Sequence, residues 1–438
     1  MPYDIILGRD AADKKRFGAK GLIYLGKGYV TMGQYTSLSN LIYMDVARSH
    51  VVLVAGKRGS GKSYSLGVIA EELSNLPAEA SRNIASLIFD TMGIFWTMKF
   101  KNEKDKLLLE EWGLKTNNLP VRVFAPFGKI DEYKEKNIPV DEVFALKASE
   151  LGAEDWITTF NLQMTSQEGV LIQSVIAKLK ERGADFNLDD IQKEINDFSR
   201  VSQEVKNVAH ALFQAADTWG IFSRSSENIG TEISELIEGG KTSILDLSVY
   251  SSIGAFNVRA LVIGLVSRKL FEQRMEARKK EEVQAIQHGV DYLSYNPVRE
   301  MPLVWMFIDE AHEFLPNEGK TPATDALVQL LREGRQPGIS VVLATQQPGQ
   351  IHGDVMTQSD VVISHRVTSK QDVDALNKIM QSYLLESIKK TMDSLPNKKG
   401  SAIILDDNSE RIYPMRIRPR FTWHGGEAPT AVKGEREF

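Results

Sequence analysis

Residues 56–63 decide the fold, and they read Gly-Lys-Arg-Gly-Ser-Gly-Lys-Ser. The run fits a phosphate-binding pattern in which a glycine is followed by four residues and then by Gly-Lys-Ser. The preceding run 50–55 is short, apolar and β-branched, which predicts a buried parallel strand. The following run 64–73 has apolar residues at helical spacing. Strand, glycine loop and helix together indicate an α/β nucleotide-binding core.

The residue types in this loop suit phosphate binding. Glycines allow backbone angles that other residues avoid, so successive amide groups can point into one hollow. The next helix adds free N–H groups and a favourable dipole at its N-terminus. Lys62 is predicted to reach the β- and γ-phosphates of ATP, and Ser63 to ligate Mg²⁺. The predicted nucleotide-binding residues are Gly56, Arg58, Gly59, Ser60, Gly61, Lys62, Ser63 and Tyr64.

A second apolar run, 301–308, ends in the two carboxylates Asp309 and Glu310. In P-loop ATPases an acid at this place holds Mg²⁺ through water, the role predicted for Asp309. The next acid can activate the attacking water as a general base, the role predicted for Glu310. The following His312 completes Asp-Glu-Ala-His and is either a packed helix-start residue or a catalytic one.

Two other predicted strands also end in a polar residue. Asp90 ends the run 84–90, where it either faces the phosphate site or forms a turn. Gln346 ends the run 339–346. Its side chain is predicted to sense the γ-phosphate, and the alternative is a cap of the strand end.

Three arginines are candidates for a role at a neighbouring subunit's nucleotide. Arg332 and Arg335 lie just before the run 339–346, and Arg366 follows the predicted strand 361–364. An arginine supplied in this way stabilises charge in the transition state. We favour Arg335, with Arg366 as its rival and a surface salt bridge as the alternative reading.

Composition limits the class of protein. The 438 residues are 42% hydrophobic and 25% charged, as in ordinary globular proteins. The chain contains no cysteine, which excludes disulfides and cysteine zinc sites. It shows neither an 18-residue apolar run nor a secretion signal, so we expect a cytoplasmic protein without a membrane span. A net charge of −5 does not indicate nucleic-acid binding, although a DNA-gripping ring needs positive charge only on its pore loops.

The predicted organisation is one ATPase core with additions. Two strands with turns at Gly26, Gly28 and Gly33 form a short N-terminal β cap beside the core. Helical periodicity predicts a helical insertion in the middle of the chain. A tail from about Arg420 is expected to be extended and loosely held. The predicted boundaries are 1–45 for the β segment, 46–128 and 241–420 for the core, 129–240 for the insertion and 421–438 for the tail.

Several motifs together carry a family resemblance. The phosphate loop is accompanied by Phe-Asp-Thr-Met-Gly at 89–93, Ile-Asp-Glu-Ala-His at 308–312, Glu-Gly-Arg-Gln-Pro-Gly at 333–338, Leu-Ala-Thr-Gln-Gln-Pro at 343–348, Arg-Val-Thr-Ser-Lys-Gln-Asp at 366–372, Lys-Lys-Gly-Ser-Ala-Ile-Ile-Leu at 398–405 and Arg-Pro-Arg-Phe-Thr at 418–422. Over residues 40–425 the chain resembles the HerA branch of the HerA/FtsK superfamily. The Glu-Gly-Arg and Thr-Gln-Gln-Pro elements are more specific than the phosphate loop.

The resemblance implies a RecA-like core assembled as a hexameric ring. ATP is then hydrolysed between subunits while double-stranded DNA is threaded through the central pore. HerA-like proteins also work with a partner nuclease, in DNA end processing or anti-phage defence. The resemblance assigns the catalytic pattern to Lys62, Asp309, Glu310, Gln346 and Arg335. The family often begins with a larger β-barrel, whereas about 45 residues precede the core here, which favours a variant such as a defence system with a separate effector nuclease.

Two other functions are compatible with the motifs. An ATP-gated oligomeric scaffold could regulate a partner effector without moving along DNA, and the acidic net charge is consistent with it. A small-molecule kinase could use the same phosphate loop, but the helical insertion and the Thr-Gln-Gln element argue against it. The ATP-driven DNA translocase is the preferred interpretation.

Overall fold

The computed structural model describes residues 3–32, 35–223, 230–251, 256–287, 299–367, 369–379 and 385–426. The strands are β1 Ile5–Leu7, β2 Leu22–Met32, β3 Tyr35–Asp45, β4 Val51–Ala55, β5 Ile84–Asp90, β6 Arg122–Pro126, β7 Glu142–Phe144, β8 Thr242–Asp246, β9 Leu303–Ile308, β10 Ile339–Thr345, β11 Val361–His365, β12 Ser401–Asp406 and β13 Arg411–Ile417. The α-helices are α1 Ala11–Phe17, α2 Lys62–Ser74, α3 Ala78–Ser81, α4 Lys106–Glu111, α5 Ile130–Glu135, α6 Ala153–Thr159, α7 Gln167–Glu181, α8 Leu188–Asp197, α9 Gln203–Asp217, α10 Ile233–Leu236, α11 Phe256–Gln287, α12 Thr324–Glu333, α13 Gly353–Gln358, α14 Lys370–Ile379 and α15 Leu385–Ser394.

All of these strands belong to one sheet of 13 strands in the order β1-β3-β2-β13-β12-β11-β4-β10-β9-β5-β8-β6-β7. Every neighbouring pair from β11 to β7 is parallel. The pairs from β11 to β3 are antiparallel. The predicted α/β class with a mainly parallel central sheet is confirmed.

The central sheet is buried on both faces, as the apolar runs predicted. Side chains alternate along β4, so Leu53 and Ala55 join the hydrophobic cluster that includes α11. Val52 and Val54 join the opposite cluster, which includes α2. Because both faces are covered, the strands read as continuous apolar runs instead of alternating ones.

The N-terminal strands extend the main sheet. Strand β2 pairs with β13, with Gly26 opposite Ile417 and Gly28 opposite Met415. The predicted turns at Gly26 and Gly28 are therefore wrong, because both glycines lie inside β2. A Cβ atom at Gly26 would approach the Arg416 carbonyl oxygen to 2.1 Å, which explains the glycine. Gly33 lies outside the described residues.

The segment 129–240 is mainly helical in its described residues, which include α5 to α10. Helix α7 begins after Ser166, whose hydroxyl accepts the N–H of Gly169 at 3.0 Å. The segment also contributes β7, which pairs in parallel with β6 at the edge of the sheet. The division of the chain into domains stays a prediction.

The start of the predicted tail is held firmly, which corrects the expectation of a loose segment from Arg420. Arg418 and Arg420 are both buried. Each donates to the fully buried carboxylate of Glu71 on α2, at 2.8 and 3.2 Å. A buried carboxylate needs such partners because its charge has lost the solvation by water. No helix in the described ranges combines the length and the apolar character needed to cross a membrane.

Candidate nucleotide-binding site

The phosphate loop connects β4 to α2 at the carboxyl edge of the parallel strands. Gly59 and Gly61 have φ values of 74° and 111°, in the region that favours glycine. A Cβ atom at Gly56 would lie 2.4 Å from Ser60 Oγ, so only glycine fits there. The loop is anchored to the sheet because the Gly56 N–H donates to the Thr345 carbonyl at 3.2 Å.

The loop has the unused polar groups that a phosphate ligand requires. Ser60 Oγ is buried and has no hydrogen-bond partner among the described residues. Lys62 begins α2 and is 6% exposed, and its ammonium donates to the Lys57 carbonyl at a long 3.5 Å. A buried ammonium with so weak a partner fits a site whose main ligand is an anion. The residues of the loop therefore fit a bound nucleotide phosphate.

Ser63 and Asp309 meet although they lie 246 positions apart. The Ser63 hydroxyl donates to Asp309 Oδ2 at 2.5 Å. Burial raises the pKa of Asp309, while the Ser63 hydrogen bond and nearby Lys62 oppose that rise. Hydroxyl and carboxylate oxygens are the hard ligands that Mg²⁺ prefers. In the described residues no cluster of three or more His, Asp or Glu could hold a metal by itself.

Glu310 has an unusual backbone conformation, and one oxygen of its carboxylate accepts no hydrogen bond from the described residues. Its φ of 50° is left-handed, a conformation that non-glycine residues rarely adopt outside functional sites. Its Oε2 atom is buried and accepts no hydrogen bond from the described residues. Burial, followed by repulsion from Asp309, raises the pKa of Glu310 to about 7. A carboxylate with such a pKa suits a general base at neutral pH.

Gln346 reaches the site through the strand order. It follows β10, which pairs with β4 on one side and β9 on the other. The half-buried Gln346 therefore lies between the phosphate loop and the acidic pair, and its backbone N–H bonds to Glu310. The neighbouring Thr345 hydroxyl lies 3.2 Å from His312 Nδ1. Burial lowers the pKa of His312, and its Nδ1 lies 3.6 Å from Glu310 Oε2, so the choice between a packed and a catalytic role stays open.

Asp90 forms a turn, which is one of the two roles that the sequence left open for it. Its Oδ1 accepts the N–H of Gly93 at 2.7 Å, and its Oδ2 accepts that of Phe95 at 2.7 Å. It is fully buried opposite Asp246 of β8. Burial and then repulsion from Asp246 raise the pKa of Asp90 to about 7. Its carboxylate is engaged in the turn and does not face the phosphate loop.

The remaining predicted loop residues differ in their surroundings. Arg58 is exposed at the tip of the loop. The Tyr64 hydroxyl accepts the N–H of Arg420 at 2.6 Å, and its ring lies 5.3 Å from that of His424. The Tyr64 side chain therefore contacts the C-terminal segment. The roles of both residues in nucleotide binding stay predictions.

Sequence reasoning missed His365, which contacts the first turn of α2 just after the phosphate loop. Its Nε2 lies 2.9 Å from the Ser65 hydroxyl on α2, and its Nδ1 lies 3.2 Å from the Ser401 carbonyl. Burial lowers its pKa to about 4, so the ring is neutral. A histidine at the end of a buried strand next to Arg366 was the available signal.

Comparison with known proteins agrees with this geometry. The family model described as the central domain of helicase HerA matches residues 28–269. A second model, described as HerA-like C-terminal, matches residues 296–405. The chain belongs to the HerA helicase family. The resemblance in the sequence is thereby confirmed.

Individual HerA relatives are distant. The DNA double-strand break repair helicase HerA of Pyrococcus furiosus is 25% identical over 200 residues, which are 42% of this chain and 34% of the relative. A probable HerA of Methanocaldococcus jannaschii is 27% identical over 191 residues, 41% of this chain and 36% of the relative. The matches thus span about a third of these two relatives.

Among solved structures, VirB4 of Thermoanaerobacter pseudethanolicus has a TM-score of 0.56 with this HerA-family chain. The two are 11% identical, and the match covers 92% of this chain and 97% of VirB4. At this identity the likeness concerns the fold alone. It confirms the predicted RecA-like P-loop core.

In this HerA-family chain the two rival arginines lie at opposite edges of the sheet. Arg366 follows β11, and its backbone carbonyl accepts the N–H of Lys57 in the phosphate loop at 3.0 Å. Its guanidinium donates to the Leu395 carbonyl and to Asn397 Oδ1, at 2.7 and 2.8 Å. Arg366 is therefore part of its own subunit's loop support.

Arg335 precedes β10 and lies at the amino edge. Its guanidinium donates to Asp360 Oδ2 at 3.1 Å, and its side chain is 71% exposed. Five residues of β4 separate the two edges by roughly 17 Å, so Arg335 does not reach its own phosphate loop. Arg332 is 59% exposed and pairs with Asp354 at 2.7 Å.

Proposed function

We propose that the chain is an ATP hydrolase that works as a ring-shaped double-stranded DNA translocase. The observation that carries the proposal is the meeting of Ser63 and Asp309 at 2.5 Å beside Glu310, whose Oε2 accepts no hydrogen bond from the described residues. Two segments distant in sequence would thus supply a phosphate loop, a Mg²⁺ ligand pair and a general base at one edge. Membership of the HerA helicase family supports this reading.

The residues of the site divide the work of hydrolysis. The loop amides and Lys62 bind and orient the β- and γ-phosphates. Ser63 and Asp309 would hold a Mg²⁺ ion, which would supply positive charge next to the phosphates. Glu310 takes the proton of the attacking water, since its pKa of about 7 lets it accept a proton at neutral pH. Gln346 contacts the γ-phosphate.

A second copy of the chain completes the site in this proposal. Arg335 is too far from its own loop, yet it is exposed enough to meet another subunit. In a ring, the amino-edge surface of one subunit would face the nucleotide of the next, where Arg335 stabilises transition-state charge. We propose a hexamer, by analogy with the family.

The load and the partners of the motor are also proposals. The relatives' names describe DNA double-strand break repair helicases. We propose double-stranded DNA in the central pore, a cytoplasmic location, and a partner nuclease or other effector in DNA end processing or anti-phage defence. The net charge of −5 is compatible with this load, because a ring needs positive charge only on its pore loops.

ATPase assays with and without linear duplex DNA test the function. DNA should raise the rate at which phosphate is released from ATP, and Lys62→Ala should abolish hydrolysis both with and without DNA. The mass of the assembled protein should rise to that of a ring with ATP and DNA, and a monomer under all conditions would contradict the ring. Equal hydrolysis with and without DNA, together with altered activity of an effector, would favour the ATP-gated scaffold.

A further inference from the structure

We propose that Asp360 positions Arg335 for the nucleotide of a second copy of the chain, and that buried His50 fixes Asp360. The inference rests on the proposed function, because it takes Arg335 as the residue that acts between subunits. It adds a positioning residue at the amino edge, where the motifs indicate none. The contacts of three side chains carry it.

Asp360 is held by donors on separate elements. Its Oδ1 accepts the N–H of Val51, the first residue of β4, at 3.0 Å. Its Oδ2 lies 2.6 Å from His50 Nδ1 and accepts a hydrogen bond from Arg335 at 3.1 Å. The Asp360 side chain is 12% exposed, compared with 71% for Arg335. A fixed carboxylate thus holds one end of a largely exposed guanidinium.

His50 connects this carboxylate to the interior. Its ring is 1% exposed, and its Nε2 lies 3.1 Å from Asp45 Oδ2. Asp45 in turn forms an ion pair with the buried Arg9. Both ring nitrogens face a carboxylate, and an imidazole can donate from both nitrogens only as the cation. Positive and negative side chains therefore alternate along a row of contacts that runs from Arg9 through His50 to Arg335.

The arrangement exceeds what a surface ion pair needs. Exposed pairs contribute little to stability and are usually supported by neither burial nor a second partner. The pair of Arg332 with Asp354 is simpler, because Asp354 is 18% exposed and its other ionic contact, with His352 Nδ1, is 3.9 Å long. Arg335 also donates from Nε to the Ser49 carbonyl at 3.4 Å, which orients its guanidinium further. Two anchors leave most of the arginine open to another subunit.

A double-mutant cycle on the full chain tests the inference. Asp360→Asn keeps the size of the side chain and removes its charge. It should lower kcat for ATP hydrolysis by about 10- to 100-fold, since displacement of a catalytic group by 1 Å can cost about 10²-fold. KM and binding of a non-hydrolysable ATP analogue should stay within about 2-fold of wild type. In an Arg335→Ala background, Asp360→Asn should cause no further loss.

The control is Asp354→Asn, which removes the partner of Arg332 and should leave kcat unchanged. Asp360→Glu keeps the charge and should restore part of the activity, and it replaces Asp360→Asn if melting curves show that the latter does not fold. Loss of activity from Asp360→Asn in the Arg335→Ala background would overturn the inference. A wild-type kcat for Asp360→Asn would also overturn the inference. If Arg335→Ala is inactive in that case, the proposed function is retained without the positioning role of Asp360. A fully active Arg335→Ala would overturn the inference together with the proposed role of Arg335 between subunits.

Discussion

The two edges of the parallel sheet differ in whether their buried carboxylates have cationic partners. At the carboxyl edge, Asp309 and Glu310 have raised pKa values, and one Glu310 oxygen accepts no hydrogen bond from the described residues. At the amino edge, Asp45 and Asp360 each contact a cationic partner, with His50 shared between them. A buried carboxylate destabilises a fold unless a cationic group, a ligand or a proton compensates its charge. The first edge is therefore suited to binding and chemistry, and the second to rigid support.

The contrast separates catalytic groups from positioning groups within one sheet. Parallel strands carry all their carboxyl ends to one edge, so loops distant in sequence converge there. The same geometry brings the residues before β4, β10 and β11 together at the amino edge. A ring in which one edge meets the other would combine both sets at the subunit boundary.

The largest effect is expected from Arg335→Ala compared with Arg366→Ala. An arginine acting in trans is worth about 10³-fold or more in kcat. Arg335→Ala should therefore nearly abolish hydrolysis while ATP binding persists. Arg366→Ala should have a much smaller effect, since the contact of Arg366 with its own phosphate loop is made by the backbone carbonyl, which alanine keeps. Steady-state kinetics and analogue titrations distinguish the two, and normal hydrolysis by Arg335→Ala would remove the trans role from the amino edge.

A smaller loss is expected from Glu310→Gln, about 10²- to 10⁴-fold in kcat, because a general base is removed without a change in size. The wild-type rate should fall as pH decreases through about 7, because protonated Glu310 cannot accept the proton of water. The residual rate of Glu310→Gln should lack this step. A wild-type pH–rate profile that is flat from pH 6 to 8 would show that the carboxyl edge does not supply the base.

The smallest effect concerns stability at the amino edge. Burial disfavours the charged form of His50, but hydrogen bonds and charge from Asp360 and Asp45 outweigh it and raise the pKa to about 9. The folded state thus binds the proton more tightly than the unfolded state, where the pKa is about 6.5. This contribution, on the order of 3 kcal/mol, is present below pH 6.5 and is lost as pH rises through 9.

Urea unfolding of the wild type and of His50→Gln between pH 6 and 10 measures this contribution. The difference in the free energy of unfolding between the two proteins should shrink as pH rises. A difference that is independent of pH would mean that His50 is neutral, and the amino edge would then lack its central cation.

Short-range patterns were the part of the site that could be predicted. The phosphate loop, its strand and its helix are contiguous, so their geometry follows from local residue types. Asp309 and Glu310 were recognisable because an apolar run precedes them, and the structure brings them to the loop. Asp90 showed the same strand-end pattern, but its carboxylate caps a turn. A residue at a strand end does not by itself reveal which backbone groups surround it.

The sequence by itself determined the α/β class, the position of the phosphate loop and the identity of the acidic pair, because these depend on periodicity and on neighbours along the chain. Only the tertiary structure decided which residues compensate one another. Glu71 meets Arg418 and His50 meets Asp360 across more than 300 positions. Such pairs depend on strand order and register, and a buried charge is stable only where that order brings it a partner. The same dependence placed Arg335 at the edge away from its own nucleotide.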